Sequence, residues 1–162
     1  MTEPTANLLA AAREYDRAGL CPIPVKADGS KSPDLRTWTA YQSTRSTPDE
    51  HAAWFDPNRR GGARTGIGVI FGHVSGNVEM IEFEGRAIAE GYFDTVTGIA
   101  EASGLGDLWK QVTNGWMRQS AGGGLHLHVR VGGTPVKGNT KLAARVATDD
   151  ELTPSQIGRA HV

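Results

Sequence analysis

A single cysteine, Cys21, among 162 residues excludes an internal disulfide. Its apolar neighbours in LCPIPV read as the surroundings of a buried thiol in a reducing, cytoplasmic setting. A charge excess is lacking too: 17 Lys and Arg stand against 18 Asp and Glu. That balance excludes a polyanion binder acting through whole-chain charge and leaves any nucleic-acid contact to a local patch. No apolar run approaches the roughly 20 residues needed to cross a bilayer. The opening MTEPTANLLAAAREYDRAG has no basic segment before its short apolar run, so neither secretion nor membrane insertion is expected. Internal repeats and sustained low-complexity segments are absent.

What is present, 38% hydrophobic residues in 17.3 kDa, suffices to close the core of one domain. Residues 5–18 place Leu8, Leu9, Ala12 and Tyr15 at helical spacing, with Gly19 where a C-terminal cap belongs. LCPIPV reads as a strand that Pro22 and Pro24 confine to a sheet edge or start. In STPDEHAAWF, Thr47, Pro48 and Glu50 supply N-cap, first helical position and capping-box acid in order. GIGVIFG and NVEMIEFEG read as two strands of a hairpin turned at HVSG, with Gly76 at positive φ. A helix weakened by Gly91 and Gly98 is expected over 86–103, a further helical turn or two at DLWKQVTN, and a second strand pair around the glycines of GWMRQSAGGGLHLHVRVGG. The fold class that follows is α+β, a mixed, largely antiparallel sheet with helices packed on one side.

Residues 1–150 are expected to form this domain in incomplete form, and 151–162 to begin a linker or helix. Thr153 and Pro154 read as the start of a helix that stops too soon to stand alone. The final IGRAHV, 157–162, matches a translated sequencing adapter, and on that reading the natural chain is expected to continue past residue 156 with other residues.

Chemistry concentrates on two strands. In NVEMIEFEG, strand alternation sets Glu82 and Glu84 on the face of Val78 and Met80. Their backbone separation of roughly 7 Å lets both carboxylates converge on a pair of divalent cations about 4 Å apart. Carboxylate oxygens are ligands that Mg²⁺ and Mn²⁺ prefer. The competing reading is a strand end that emerges into water with its acids solvated. In SAGGGLHLHVRV, His126, His128 and Arg130 share one face, after three glycines whose backbone N–H groups can approach a phosphate closely. A flexible glycine hairpin before an exposed strand fits the same residues. His126 and His128 also suit Zn²⁺ if a third ligand joins them, which gives a metal-dependent hydrolase as an alternative. Lys31 and the basic loop of Arg59, Arg60 and Arg64 are candidate phosphate or DNA contacts, although most such clusters are merely solvated. Trp38, Trp54, Trp109 and Trp116 read as core or rim residues.

In combination, AREYDRAGLCPIPV, KSPDLRTW, GIGVIFGHVSGNVEMIEFE and SAGGGLHLHVRV resemble the bifunctional DNA primase/polymerase N-terminal domain, a branch of the archaeo-eukaryotic primase superfamily found in phage and plasmid replication proteins. The resemblance covers roughly residues 8–131. It implies an RRM-like palm, with Glu82 and Glu84 as the acids that hold Mg²⁺ or Mn²⁺. It also implies His126 on the incoming nucleotide's phosphates, aided by Gly123, Gly124 and Ser120. The implied activity is template-dependent nucleotidyl transfer, with nucleoside triphosphates and a DNA template as partners and a helicase region in the same or another chain. Two features depart from the family pattern: glutamates stand where aspartates are common, and no third acid follows Arg130 on a strand. Asp149, Asp150 and Glu151 lie in a polar stretch. A domain that binds nucleotide or DNA without catalysis is the other outcome compatible with these departures.

Overall fold

The computed structural model describes residues 7–133 and 142–143. Asn7 caps helix α1 (Leu8–Arg17), its side-chain oxygen accepting from the Ala10 N–H at 3.0 Å. Gly19, at φ 83°, ends the helix as expected. The Gly19 and Leu20 N–H groups donate back to the Asp16 and Tyr15 carbonyls, which is the paired hydrogen bonding of a Schellman turn. The chain leaves that turn directly into β1 (Cys21–Val25), an edge strand that tolerates Pro22 and Pro24 because it has only one ladder to serve.

Helix α2 (Pro48–Trp54) carries the full capping box. Thr47 Oγ1 accepts from the Glu50 N–H at 3.2 Å, and Glu50 Oε2 accepts from the Thr47 N–H at 2.8 Å. Strand β2 (Gly66–Ile70) lies antiparallel to β1, with Cys21 opposite Ile70 and Val25 opposite Gly66. A Cβ at Gly66 or Gly68 would run into Val25, so these glycines let the two strands close.

The hairpin expected between β2 and β3 (Val78–Phe83) does not form. Residues 73–75 make a single 3₁₀ turn, and Gly76 and Asn77 follow in the left-handed region at φ 64° and 58°. Two consecutive left-handed residues redirect the chain, so that one bridge, Gly72 to Val78, is all that remains of the hairpin. Gly76 does take the positive φ expected of it.

The expected single helix over 86–103 is likewise two, α3 (Gly85–Ala89) and α4 (Tyr92–Ala102), divided at Gly91 with φ 74°. Helix α5 (Gly106–Thr113) follows, and then β4 (Trp116–Gln119) and β5 (Leu125–Arg130). The second sheet has the order β3-β5-β4, antiparallel throughout. The class is therefore α+β as expected, with two small antiparallel sheets in place of one.

Strand β5 alternates between two environments. Leu127 is completely buried, and Phe83 beside it meets Phe93 at 5.3 Å and Trp109 at 6.3 Å, so α4 and α5 cover this face with aromatic rings. A second core holds Ala12, Leu20, Cys21, Ile23 and Phe55. Within it His51 Nε2 donates to Ser46 Oγ at 2.8 Å, and the Ser46 N–H lies on Cys21 Sγ at 3.4 Å. Cys21 is the buried thiol its neighbours suggested. Among the described residues no helix is long and apolar enough to cross a membrane.

Arg45 fastens these parts. Its guanidinium donates to the carbonyls of Gly19 at 2.5 Å, Leu20 at 2.9 Å, Val74 at 2.9 Å and Asp16 at 3.2 Å, and pairs with the Asp16 carboxylate at 2.6 Å. Arg45→Ala leaves several of these acceptors without a donor. The expected loss is about 2 kcal/mol, discounted because the side chain is partly exposed, and is read as a lower urea midpoint at unchanged m-value. Lysine, which cannot present the guanidinium fork, is expected to restore less than half.

Candidate functional site

The face of β5 turned away from the aromatic core carries His126, His128 and Arg130. The ladder register sets Glu82 of β3 opposite His126 on one side and Arg118 of β4 opposite it on the other. His126 Nε2 donates to Glu82 Oε1 at 3.2 Å. The pair is reachable, with 51% of the Glu82 side chain and 27% of the His126 side chain exposed. Met80, His128 and Trp116 form the next row along the same face.

Glu84 lies just past the end of β3, at the N-cap of α3, with extended backbone and no capping hydrogen bond from its side chain. Its carboxylate is 3.4 Å from Arg86 Nε and remains exposed. The glycine turn abuts this point. A Cβ at Gly85 would collide with the Gly122 carbonyl, and one at Gly124 would come within 2.5 Å of the Phe83 carbonyl. Both approaches require glycine. Ser120 closes the turn: its N–H donates to the Gly124 carbonyl at 2.8 Å, its carbonyl accepts from Gly123 at 3.0 Å, and its Oγ accepts from the Gly124 N–H at 3.0 Å. The structure thus brings Glu82, Glu84, Ser120, Gly123, Gly124 and His126 to one end of one sheet. The N–H groups of Gly123 and Gly124 are engaged within the turn, so these glycines act here through close packing more than as free donors.

The basic residues are elsewhere, on loops of the β1–β2 sheet. Arg64 is not a free phosphate contact. Its Nε donates to Asp34 Oδ2 at 2.6 Å with 8% of its side chain exposed, its Nη2 bonds the Asp34 carbonyl, and this guanidinium holds the Asp34 carboxyl below its ordinary range. Arg59 reaches the Gly62 carbonyl at 3.3 Å and lines an open cleft of about 430 Å³ with Lys26 and Asp34. Arg60 and Lys31 are exposed, Lys31 at φ 56°.

His128 has a different setting from His126. Its ring stacks on Trp116, centroids 4.3 Å apart at 29°, and meets Phe71 at 5.3 Å on another side. Among the described residues no group of three or more His, Cys, Asp or Glu side chains gathers to hold a metal ion, so the hydrolase reading finds no third ligand there. Asp149, Asp150 and Glu151 lie outside the described residues. Glu82 is engaged by His126 and Glu84 by Arg86, both partly exposed, so a hard cation at this end of the sheet would need substrate phosphates and waters to complete its shell. The acid pair does not fit a cage built of protein ligands alone.

Arg118 and Trp116 escaped the sequence reading as site residues. Strand periodicity over WMRQ could have paired them on one face, but only the β4–β5 register shows that this face is the one bearing His126. Comparison with protein-family models, characterised proteins and solved structures returned no match.

Burial lowers the His128 pKa from its ordinary 6.5, against a hydrogen bond with the Trp116 backbone and with added lowering from His126 and Arg118. The unfolded chain then holds a proton that the folded chain refuses in the window between 6.5 and the lower folded value. Stability is full above that window and declines as pH falls through it. Urea midpoints measured on either side of the window should differ in that sense. His128→Phe should shrink the difference, leaving the part due to His51, which burial also lowers.

Proposed function

We propose that the β3–β5 face performs metal-dependent nucleotidyl transfer of the primase-polymerase kind, making or extending a strand on a DNA template. The observation that carries this reading is the register pairing of Glu82 with His126, which joins the acid strand to the glycine-turn strand at one point. A three-stranded antiparallel sheet with helices on its opposite face supports a palm-like reading of the fold.

Glu82 and Glu84 would hold Mg²⁺ or Mn²⁺, which supplies charge neutralisation at the reacting phosphate when bound. His126 offers an imidazole N–H to phosphate oxygen. Its Nε2 contact with the Glu82 carboxylate fixes the ring's direction. Arg118, across from His126 on the exposed strand β4, adds a guanidinium suited to bidentate phosphate contact. In the reaction a 3′-oxygen forms a bond to the α-phosphorus, the bond from that phosphorus to the bridging oxygen breaks, pyrophosphate leaves, and the hydroxyl proton passes to solvent. Positioning and electrostatic stabilisation of this displacement are what the cluster has to offer. Nucleoside triphosphates and template DNA are the partners on this reading, with a helicase region in the same or another chain, in a cytoplasmic replication role.

The test is primer extension with Mn²⁺ or Mg²⁺. Glu82→Gln should reduce incorporation at least about 100-fold, as expected for loss of a group acting on transition-state charge, with unchanged circular dichroism. His126→Ala should impair triphosphate binding as well as turnover. Salt-sensitive DNA binding without incorporation under either metal would replace catalysis with the binding-only reading.

A further inference from the structure

One row along the face from His126, the sheet carries an aromatic feature that phosphate chemistry does not explain. Trp116 belongs to the exposed edge strand β4, and 42% of it is open to solvent although it is the largest side chain on the strand. Its ring is not loose, because it stacks on His128, which Phe71 supports in turn. Between these rings and α1 lies a cleft of about 460 Å³, lined by Tyr15, Ala18, Val78, Trp116, His128 and Arg130, within the size range of small-molecule sites. Arg130 is tied down at the cleft's edge by the Gly76 carbonyl at 2.5 Å. The His126 and His128 rings are 6.3 Å apart, so the imidazole at the phosphate end and the ring that backs Trp116 are neighbours on one face.

We infer that Trp116, backed by His128, is the stacking platform for the base of the incoming nucleotide. The inference rests on the phosphate-end reading above and names the base end of the same site. Stacking on a π-face tolerates every base, so the platform gives affinity without selecting a sequence, as template-directed synthesis requires. Burial favours the neutral form of His128 and leaves it a flat aromatic support. Apolar residues Ala18, Leu20, Val78 and Val129 stand beside the rings in the cleft's lining, with Glu14 and Arg130 as its charged members, which agrees with recognition of a ring face.

Calorimetric titration with dATP and, separately, with inorganic tripolyphosphate tests this in the presence of Mn²⁺. Trp116→Ala should weaken dATP binding about tenfold or more, as loss of one base–aromatic stack does, and leave tripolyphosphate affinity within about twofold. Trp116→Phe should recover most of the dATP affinity. Equal loss for both probes, unchanged dATP affinity in Trp116→Ala, or wild-type protein binding tripolyphosphate as tightly as dATP would each overturn the platform. Loss confined to a single-stranded oligothymidylate would also overturn it, assigning Trp116 to the template. Wild-type protein that binds dATP through Trp116 yet never extends a primer would keep the platform and sink the transfer reading.

Discussion

The guanidinium of Arg45 is the contact on which the arrangement of the two sheets rests. It accepts no hydrogen bond and can only donate, so it suits a place where several carbonyls converge. The carbonyls of Asp16, Gly19 and Leu20 come from the end of α1 and the approach to β1, and that of Val74 comes from the 3₁₀ turn. Ser75, next in that turn, accepts from the Cys21 N–H at 2.8 Å and donates to the Ile70 carbonyl. The turn that launches β3 is thereby fixed to the start of β1. Since β3 carries Glu82, the position of the site follows from a side chain remote from it in sequence.

The second constraint is the two-sidedness of β5. Its apolar face completes an aromatic core, and its other face holds His126 within reach of solvent while His128 is packed against Trp116 and Phe71. The Glu82–His126 contact is too exposed to contribute much stability, since pairs of this kind are worth about 1 kcal/mol or less. The proposed transfer would give their juxtaposition a reason that stability does not. The Arg64–Asp34 pair is the opposite case, a largely buried guanidinium that holds a loop in shape.

Local signals carried the parts of this fold that local physics decides. The capping box at Thr47 and Glu50, the helix-ending Gly19, the left-handed Gly76 and the alternation of β3 and β5 each involve residues within a few positions of one another. Strand partnership could not be read in the same way. β2 and β3 are adjacent in sequence and look like a hairpin, yet the left-handed conformation of Asn77 after Gly76 sends them to different sheets. Glu82 and His126 are 44 residues apart, and Arg64 and Asp34 are 30 apart. Nothing in residue type distinguishes the arginine that is buried in an ion pair from those on the surface, so the basic loop was legible only as composition.

The close seating of Gly85 against the Gly122 carbonyl bears on how such a protein can vary over generations. Positions 85 and 124 admit no side chain without parting the acid strand from the glycine turn, and 123 is held at φ 79°. Ala121 and Gly122 are exposed, and a Cβ on Gly122 would meet nothing within 4 Å. Variation therefore has a narrow entrance: substitutions at 121 and 122 can alter what the turn presents while the surrounding glycines keep Glu82, Glu84 and His126 in place.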